Sequence, residues 1–104
     1  MLMSVDTDLI RALADPIRMK IVTLLARETL CSTHLMEETG ARQTNLSNHL
    51  RVLREAGLVE TEPCGRFTYY RLKADVIATL AGQFTDLAET ARATAAADIK
   101  RACP

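Results

Sequence analysis

The chain has 104 residues and carries 13 basic and 13 acidic side chains, so its formal net charge at neutral pH is zero. That length has room for one domain with a modest core, and a hydrophobic content of 48% excludes an intrinsically disordered regulator. The sequence has neither an apolar run of the ~18 residues that cross a bilayer nor a signal-peptide pattern, so we expect a cytoplasmic protein without a membrane partner.

The first two predicted helices supply core residues. Ser4 or Asp6 can cap the first helix, and Asp15-Pro16 combines a cap with a first-turn proline for the second. Their apolar residues recur at helical spacing and are Leu9, Ile10, Leu13, Ile17, Ile21, Leu24 and Leu25. We therefore expect both helices to pack in the interior of the fold.

A helix-turn-helix is predicted at about residues 32–56. A short extended piece at Leu30-Cys31 precedes a helix at about Ser32–Thr39, which Gly40 closes in a left-handed conformation. A second helix follows directly and breaks at Ala56-Gly57. Two helices joined by a tight glycine-containing turn are typical of proteins that place the second helix in the major groove of DNA.

The second of these helices has two different faces. Leu46, Leu50 and Leu53 recur at i, i+4 and i+7 and predict a buried stripe. The opposite face carries short polar side chains and a guanidinium, which can contact base edges and phosphates, whereas a merely solvated face would more often carry Glu-Lys pairs. The candidate DNA-binding residues are Gln43, Thr44, Asn45, Ser47, Asn48, His49, Arg51 and, from the hairpin that follows, Arg66. For His49 a structural role or a phosphate contact is favoured over a role as a metal ligand.

The segment at about residues 58–72 predicts a β-hairpin wing. Leu58–Pro63 and Phe67–Leu72 have strand character, and Cys64-Gly65-Arg66 joins them, with glycine supplying the turn. Arg66 at the tip can reach a phosphate or a narrow minor groove, unless it is only a soluble turn residue.

The charge is unevenly placed along the chain. From Arg42 to Lys73 there are six basic and three acidic residues, a net +3, which leaves −3 for the rest. Such a modest basic surface predicts that two copies bind DNA together. Two phenylalanines, two tyrosines and no tryptophan disfavour single-strand recognition by base stacking, so duplex DNA is the expected partner.

The last predicted helix runs over about residues 75–101 and is capped by Asp75. Its apolar seam consists of Ile77, Leu80, Phe84, Leu87 and Ala91. A helix of roughly 40 Å exceeds what so small a domain can bury, so we expect it to form a homodimer. An Ala-rich tail that frays beyond Leu87 is the alternative. The whole of residues 1–104 is then one winged-helix domain, mainly α with a small β-hairpin, that both binds DNA and dimerises.

Two stretches resemble the ArsR/SmtB family of bacterial metal-responsive repressors. LADPIRMKIVTLL, Leu13 to Leu25, is similar to the family's ALxDPxRxxILxLL pattern. SNHLRVLREAGLVETEPCGRFTYYRL, Ser47 to Leu72, resembles the SxHLxxLxxAGLVxxxxxGRxxxYxL pattern of its reading helix and wing. The resemblance covers roughly residues 8 to 90. It implies a homodimeric winged-helix repressor that leaves its operator when a metal ion binds.

The sequence departs from the family's known inducer sites. Of the three cysteines in the arsenic-sensing pattern ELCVCDLC, only Cys31 has a counterpart in Thr29–Met36. Zinc and nickel sensors of the family have Asp and His residues along the last helix, whereas here no histidine follows His49. Cadmium and lead sensors of one type have two cysteines in the reading helix, which has none here. Thr23 stands where persulfide-sensing relatives have a cysteine.

Three thiols remain as candidate inducer ligands, namely Cys31, Cys103 and, least favoured, Cys64. Three soft ligands suit As(III) or Sb(III), with Cd(II) or Pb(II) as alternatives, and no metal is expected to be required for folding. If the Leu30-Cys31 strand pairs near Tyr70 to Leu72, Cys64 lies about six residues away, roughly 20 Å. We therefore expect Cys31 to share an ion with Cys103 of a second copy. Cys31 as a small core residue, and Cys64 as an incidental turn residue, are the competing interpretations.

Other functions are less well supported. Cys31 with His34 is the one candidate nucleophile and base, and no orienting residue is evident, so we do not expect an enzyme. A winged-helix module that binds protein in place of DNA would carry aromatic or aliphatic anchors at Thr44, Ser47 and Asn48. A thiol-based redox sensor of the same fold is the alternative to a metal sensor, and the two share the same DNA-binding half.

Overall fold

The structure is a computed structural model that describes residues 4–104. Five helices and three strands follow one another as α1 (Thr7–Leu13), α2 (Pro16–Leu25), β1 (Leu30–Cys31), α3 (Ser32–Thr39), α4 (Gln43–Glu55), β2 (Val59–Cys64), β3 (Phe67–Leu72) and α5 (Ala74–Ala96). The three strands form an antiparallel sheet in the order β1-β3-β2. This is the predicted winged helix-turn-helix, in which α3 and α4 are the helix pair and β2 and β3 are the wing.

The first two helices begin at aspartate caps. Asp6 Oδ1 accepts hydrogen bonds from the backbone N–H groups of Asp8 and Leu9, so Asp6 and not Ser4 caps α1. Asp15 Oδ1 accepts from the N–H groups of Ile17 and Arg18 at the start of α2. These bonds satisfy donors that the first turn of a helix leaves without a backbone partner.

The core lies where α2, α3, α4 and the start of β2 meet. Its most completely buried side chains are Ile21, Leu35, Leu46, Leu53 and Leu58. The predicted leucine stripe of α4 is confirmed, because Leu46, Leu50 and Leu53 are at most 3% exposed. Burial of this stripe orients α4 and leaves its opposite face toward solvent.

Two glycines make the turns on either side of α4. Gly40 ends α3 with φ +73°, and its N–H donates to the Met36 carbonyl at 2.8 Å. Gly57 has φ +78°, and the next N–H, that of Leu58, donates to the Leu53 carbonyl at 2.9 Å. Both turns use left-handed backbone that costs glycine little, so α4 has a defined start and end.

The wing differs from the prediction at its turn. Cys64 is the last residue of β2 and pairs with Phe67, so the turn consists of Gly65 and Arg66 alone. Assigning Cys64 to the turn was wrong, because the two-residue turn with Gly65 at φ +62° continues the strand pairing up to Cys64.

Helix α5 also departs from the predicted bounds. It begins at Ala74 with Lys73 at the cap position and no side-chain cap, so the prediction that Asp75 caps it was wrong. It ends at Ala96, five residues before Arg101, because Asp98 turns left-handed with φ 49° and the Ile99 N–H bonds to the Thr94 carbonyl at 3.1 Å. None of the helices within residues 4–104 combines the length and the hydropathy that a membrane span requires.

Candidate nucleic-acid interface

The polar face of α4 is open to solvent. Gln43, Thr44, Asn45, Ser47, Asn48 and Arg51 are all exposed, whereas the leucines on the other side of the helix are buried. The helix starts after Arg42 without a side-chain cap, so N–H groups of its first turn are free to meet a phosphate oxygen. The face combines donors and acceptors of short reach with one cation, which is the chemistry that base edges and phosphates require.

His49 differs from its neighbours on α4 because its side chain turns inward. Its side chain is 13% exposed, and its Nδ1 atom lies 3.1 Å from Nη1 of Arg18 and 3.9 Å from Oδ1 of Asp15. The structure therefore places one edge of this ring against α2. Any contact of His49 with DNA is restricted to what the rest of the ring can reach.

Asp15 is the anion nearest to this histidine. The hydrogen bond from the Arg18 backbone N–H holds the pKa of the Asp15 carboxyl below its usual 3.8; partial burial opposes the shift, and the nearby His49 and Arg18 side chains and the Ile17 N–H support it. The carboxylate therefore stays ionised at neutral pH while it caps α2.

The wing offers one free cation within residues 4–104. Arg71 pairs with Glu60 at 3.3 Å and with Glu62 at 3.5 Å, so its charge is offset on the face of the hairpin. Arg66 in the turn is exposed and takes part in none of the ion pairs of these residues. Arg66 thus contributes a positive charge at the tip of the wing.

The three thiols have different surroundings. Cys31 is buried, whereas Cys64 and Cys103 are exposed. Cys31 Sγ lies 3.4 Å from Nδ1 of His34, and the Cys31 backbone N–H donates to the same nitrogen at 3.3 Å. The sequence offers His34 only as a candidate catalytic base, although its i+3 spacing from the cap position of α3 is a signal for this contact.

Strand register brings Cys64 closer to Cys31 than expected. Cys31 aligns with Tyr69 and Cys64 with Phe67, so the two cysteines are offset by two residues along β3 and not by six. With ~3.3 Å per residue and ~4.8 Å between strands, their backbones are roughly 12 Å apart, and the estimate of roughly 20 Å was wrong. Two cysteines that bind one ion through Sγ–metal bonds of ~2.3 Å need backbones closer together than this, so Cys31 and Cys64 do not share an ion in this arrangement.

No complete metal site exists within residues 4–104 of a single chain, where no three His, Cys, Asp or Glu side chains are grouped to hold an ion. Cys31 Sγ and His34 Nδ1 lie 3.4 Å apart on one turn, and Nδ1 would have to exchange its hydrogen bond from the Cys31 N–H for a bond to an ion that the two atoms share. A third donor would have to come from elsewhere.

An apolar groove lies on the side formed by α1, α2 and α5. It has a volume of about 260 Å³ and is lined by Ile10, Leu13, Ala14, Met19, Leu80 and Phe84. Phe84 is 48% exposed and Leu87, one turn further along α5, is 51% exposed. Large apolar side chains in contact with water on one helix face mark a surface that is suited to a partner.

The architecture, with a wing beside the exposed polar helix of a helix-turn-helix, defines a winged-helix protein of the DNA-binding class. A family model described as "Bacterial regulatory protein, arsR family" matches residues 15–61. The chain therefore belongs to the arsR family, which consists of DNA-binding transcriptional regulators and not of enzymes.

Individual proteins show the same relationship. The HTH-type transcriptional repressor SmtB of Mycobacterium tuberculosis is 40% identical over 65 residues, which cover 62% of this chain and 48% of that protein. The arsenic resistance transcriptional regulator ArsR1 of Pseudomonas putida is 39% identical over 67 residues, 64% of this chain and 52% of that protein. The chain thus matches about half the length of these relatives.

A solved structure extends the likeness beyond that segment. The ArsR-like transcriptional regulator from Rhodococcus sp. RHA1 superimposes with a TM-score of 0.77 at 28% identity, over 86% of both chains. The shared fold therefore includes elements outside residues 15–61.

Proposed function

We propose that this protein is a DNA-binding transcriptional repressor that acts as a homodimer and is released from its operator by a soft, thiophilic ion. The observation that carries the DNA-binding half is the exposed face of α4, where Ser47, Asn48 and Arg51 stand opposite a leucine stripe that is at most 3% exposed. In this proposal α4 enters the major groove and these side chains read base edges, with Gln43, Thr44 and Asn45 near the backbone.

The wing extends the contact beyond α4. Arg66 is an unpaired cation at the turn between β2 and β3 within the described residues. A cation at the tip of a hairpin is attracted most strongly to a phosphate or to a narrow minor groove, and neither contact depends much on the base sequence. Arg66 is therefore proposed to add affinity, whereas α4 adds specificity.

The apolar surface supports the proposed dimer. The groove between α1, α2 and α5 and the exposed Phe84 and Leu87 form one continuous apolar stripe along α5, whose i and i+3 spacing keeps these two side chains on one face. A second copy can cover this stripe with the same stripe of its own, as a twofold-symmetric interface requires. Two reading helices about one turn of DNA apart, ~34 Å, would then meet successive major grooves.

The inducer is proposed to bind at the start of α3. Cys31 and His34 provide a sulfur and a nitrogen donor, and Cys103 of a second copy is proposed as the third ligand because it is exposed in the residues that follow α5. As(III) and Sb(III) are the first candidates and Cd(II) and Pb(II) the next, since all four bind thiolates. Cys64 is a ligand only if the wing rearranges, because its backbone is roughly 12 Å from that of Cys31.

One experiment tests both the DNA binding and the release by an ion. Fluorescence anisotropy of a labelled duplex from the DNA upstream of the coding region measures binding, and the bound protein is then titrated with arsenite, antimonite, Cd(II), Pb(II), Zn(II) and peroxide in parallel. Specific binding at nanomolar protein with release by a thiophilic ion is the expected result. Equal affinity for the upstream duplex and a random duplex would contradict the repressor, and release by peroxide alone would favour the redox sensor.

A further inference from the structure

The Arg18 side chain, on α2, contacts both α1 and α4. Its Nε atom donates to the Ala12 carbonyl at 2.7 Å and its Nη2 atom to the Arg11 carbonyl at 3.4 Å, both near the carboxyl end of α1. Its Nη1 atom lies 3.1 Å from Nδ1 of His49 on α4. One guanidinium therefore connects α1, through α2, to the helix that carries the polar face.

The chemistry of these groups fixes the direction of the contact. A guanidinium only donates, so the Nδ1 atom of His49 must accept and the ring proton must be on Nε2. Asp15 Oδ1 is 3.9 Å from the same nitrogen, too far for a hydrogen bond, and it is engaged with the N–H groups at the start of α2. The Arg18 and His49 pair is thus a charge-assisted hydrogen bond in a half-buried site, which is stronger than a bond between neutral groups.

We propose that Arg18 is a positioning residue for DNA reading, which holds α4 by its His49 ring against the carboxyl end of α1. The proposal rests on the proposed function, in which α4 reads the operator. His49 directly follows Asn48 and lies two residues before Arg51, so a change in how this ring is held changes the orientation of both reading side chains. The same α1 and α2 segments contribute Ile10, Leu13 and Met19 to the apolar groove, so Arg18 also joins the proposed dimer surface to the reading helix.

Substitutions at both ends of the contact test this role. Arg18→Met removes the donors and keeps the aliphatic stem, and Arg18→Lys keeps the charge but cannot bridge two carbonyls and a ring. His49→Phe removes the acceptor. Arg11→Gln is the control, because it removes a neighbouring surface cation, 76% exposed, and leaves the Arg18 contacts in place.

Operator affinity is measured by anisotropy at a temperature where thermal denaturation shows every variant to be folded. We expect Arg18→Met to bind the operator about tenfold more weakly, Arg18→Lys to lose a smaller factor, and Arg11→Gln to stay within about twofold. The Arg18→Met/His49→Phe double variant should lose no more than the weaker-binding single variant, because both changes break the same contact. A double loss equal to the product of the single losses, or folded Arg18→Met with unaltered affinity, would overturn the proposal.

The tautomer of His49 provides a test that needs no Arg18 variant. Nitrogen-15 NMR of the unaltered protein should show an unprotonated Nδ1 and a protonated Nε2 for His49 at neutral pH. The chain has two histidines, so a His34→Gln sample assigns the signals. A protonated Nδ1 on His49 would overturn the contact even if Arg18→Met failed to fold.

An Arg51→Ala arm separates this inference from the proposed function. If Arg51→Ala loses operator affinity and Arg18→Met keeps it, the positioning role of Arg18 is refuted and the proposal that α4 reads the operator stands. If both Arg51→Ala and Asn48→Ala keep operator affinity, the proposal that α4 reads the operator is refuted, whatever the tautomer of His49.

Discussion

Cys31 Sγ and Nδ1 of His34 lie 3.4 Å apart at the first turn of α3, where the histidine reaches back to the cap position of its own helix. The pair sits beside β3, since Cys31 aligns with Tyr69 and the His34 ring centroid is 6.2 Å from that of Tyr69. The start of the helix-turn-helix therefore brings a thiol and an imidazole nitrogen together close to the wing.

Loss of any one of the three proposed ligands should abolish release from the operator by a thiophilic ion. Cys31→Ser, His34→Gln and Cys103→Ser proteins are expected to bind the operator normally and to stay bound in arsenite, because each lacks one of three proposed ligands. Cys64→Ser is the matched control and should respond nearly as the unaltered protein does. The measurement is operator anisotropy during an arsenite titration. If Cys64→Ser alone lost the response, the wing would be the sensor; if all four variants responded, no thiol site would remain.

Removing the exposed apolar side chains of α5 should yield monomers. Phe84→Ser/Leu87→Ser is expected to raise the dimer dissociation constant by at least ~100-fold, because each buried side chain contributes about 1.5–3 kcal/mol. These two positions are better targets than Leu80, which is 7% exposed and packs in the core of its own chain.

Sedimentation velocity over a concentration series measures this change. Ile99→Ser is the control, since Ile99 is 69% exposed and lies beyond the end of α5. An unaltered protein that sediments as a monomer at micromolar concentration and still selects its operator would contradict the dimer.

Asn48 and Arg66 should affect DNA binding in different ways. Asn48→Ala is expected to cost ~1–3 kcal/mol on the operator and little on random duplex, because an amide contributes mainly through base edges. Arg66→Ala should weaken binding to both duplexes alike and reduce the salt slope by about one unit, because one phosphate contact is lost. Anisotropy titrations at several salt concentrations measure both effects. The division of roles would be refuted if both variants lost equal affinity on operator and random DNA.

The Asp15 cap should make stability depend on pH in the acid range. The pKa of Asp15 is lowered from its usual 3.8, so its stabilising contribution is present above that value and disappears as pH falls through the lower, folded-state pKa. Asp15→Asn keeps a cap without the charge. The melting temperatures of the two proteins should differ most near neutral pH and converge below pH 3.8. A difference that is constant from neutral pH to pH 3 would exclude the ionised cap as its cause.

Local sequence signals determined most of the helix boundaries. The cap at Asp15, the left-handed Gly40 and the leucine stripe of α4 depend on interactions within a few residues, so spacing and residue type suffice to predict them, whereas for α1 they leave both Ser4 and Asp6 as possible caps. The same local rule failed at Asp75, because a residue type that favours the cap position also occurs inside the first turn of a helix. Helix α5 starts one residue earlier, after Lys73.

The end of α5 shows a related limit. Nothing in the alanine-rich sequence up to Ala97 requires the helix to stop, and the break depends on the left-handed backbone of Asp98 with the hydrogen bond from Ile99. Aspartate adopts that conformation only sometimes, so its presence alone did not predict the end.

Tertiary structure alone decided the contacts that join distant segments. The sequence showed that His49 lies beside a buried leucine, but not that Arg18, 31 residues earlier, would meet its Nδ1 atom. It likewise suggested a strand at Leu30-Cys31, but the register with Tyr69 and Tyr70 set how far Cys31 lies from Cys64. Short-range patterns define the helices and the β2–β3 hairpin because their hydrogen bonds join residues close in sequence, whereas the pairing of β1 with β3 and the relative placement of the helices depend on how the whole core packs.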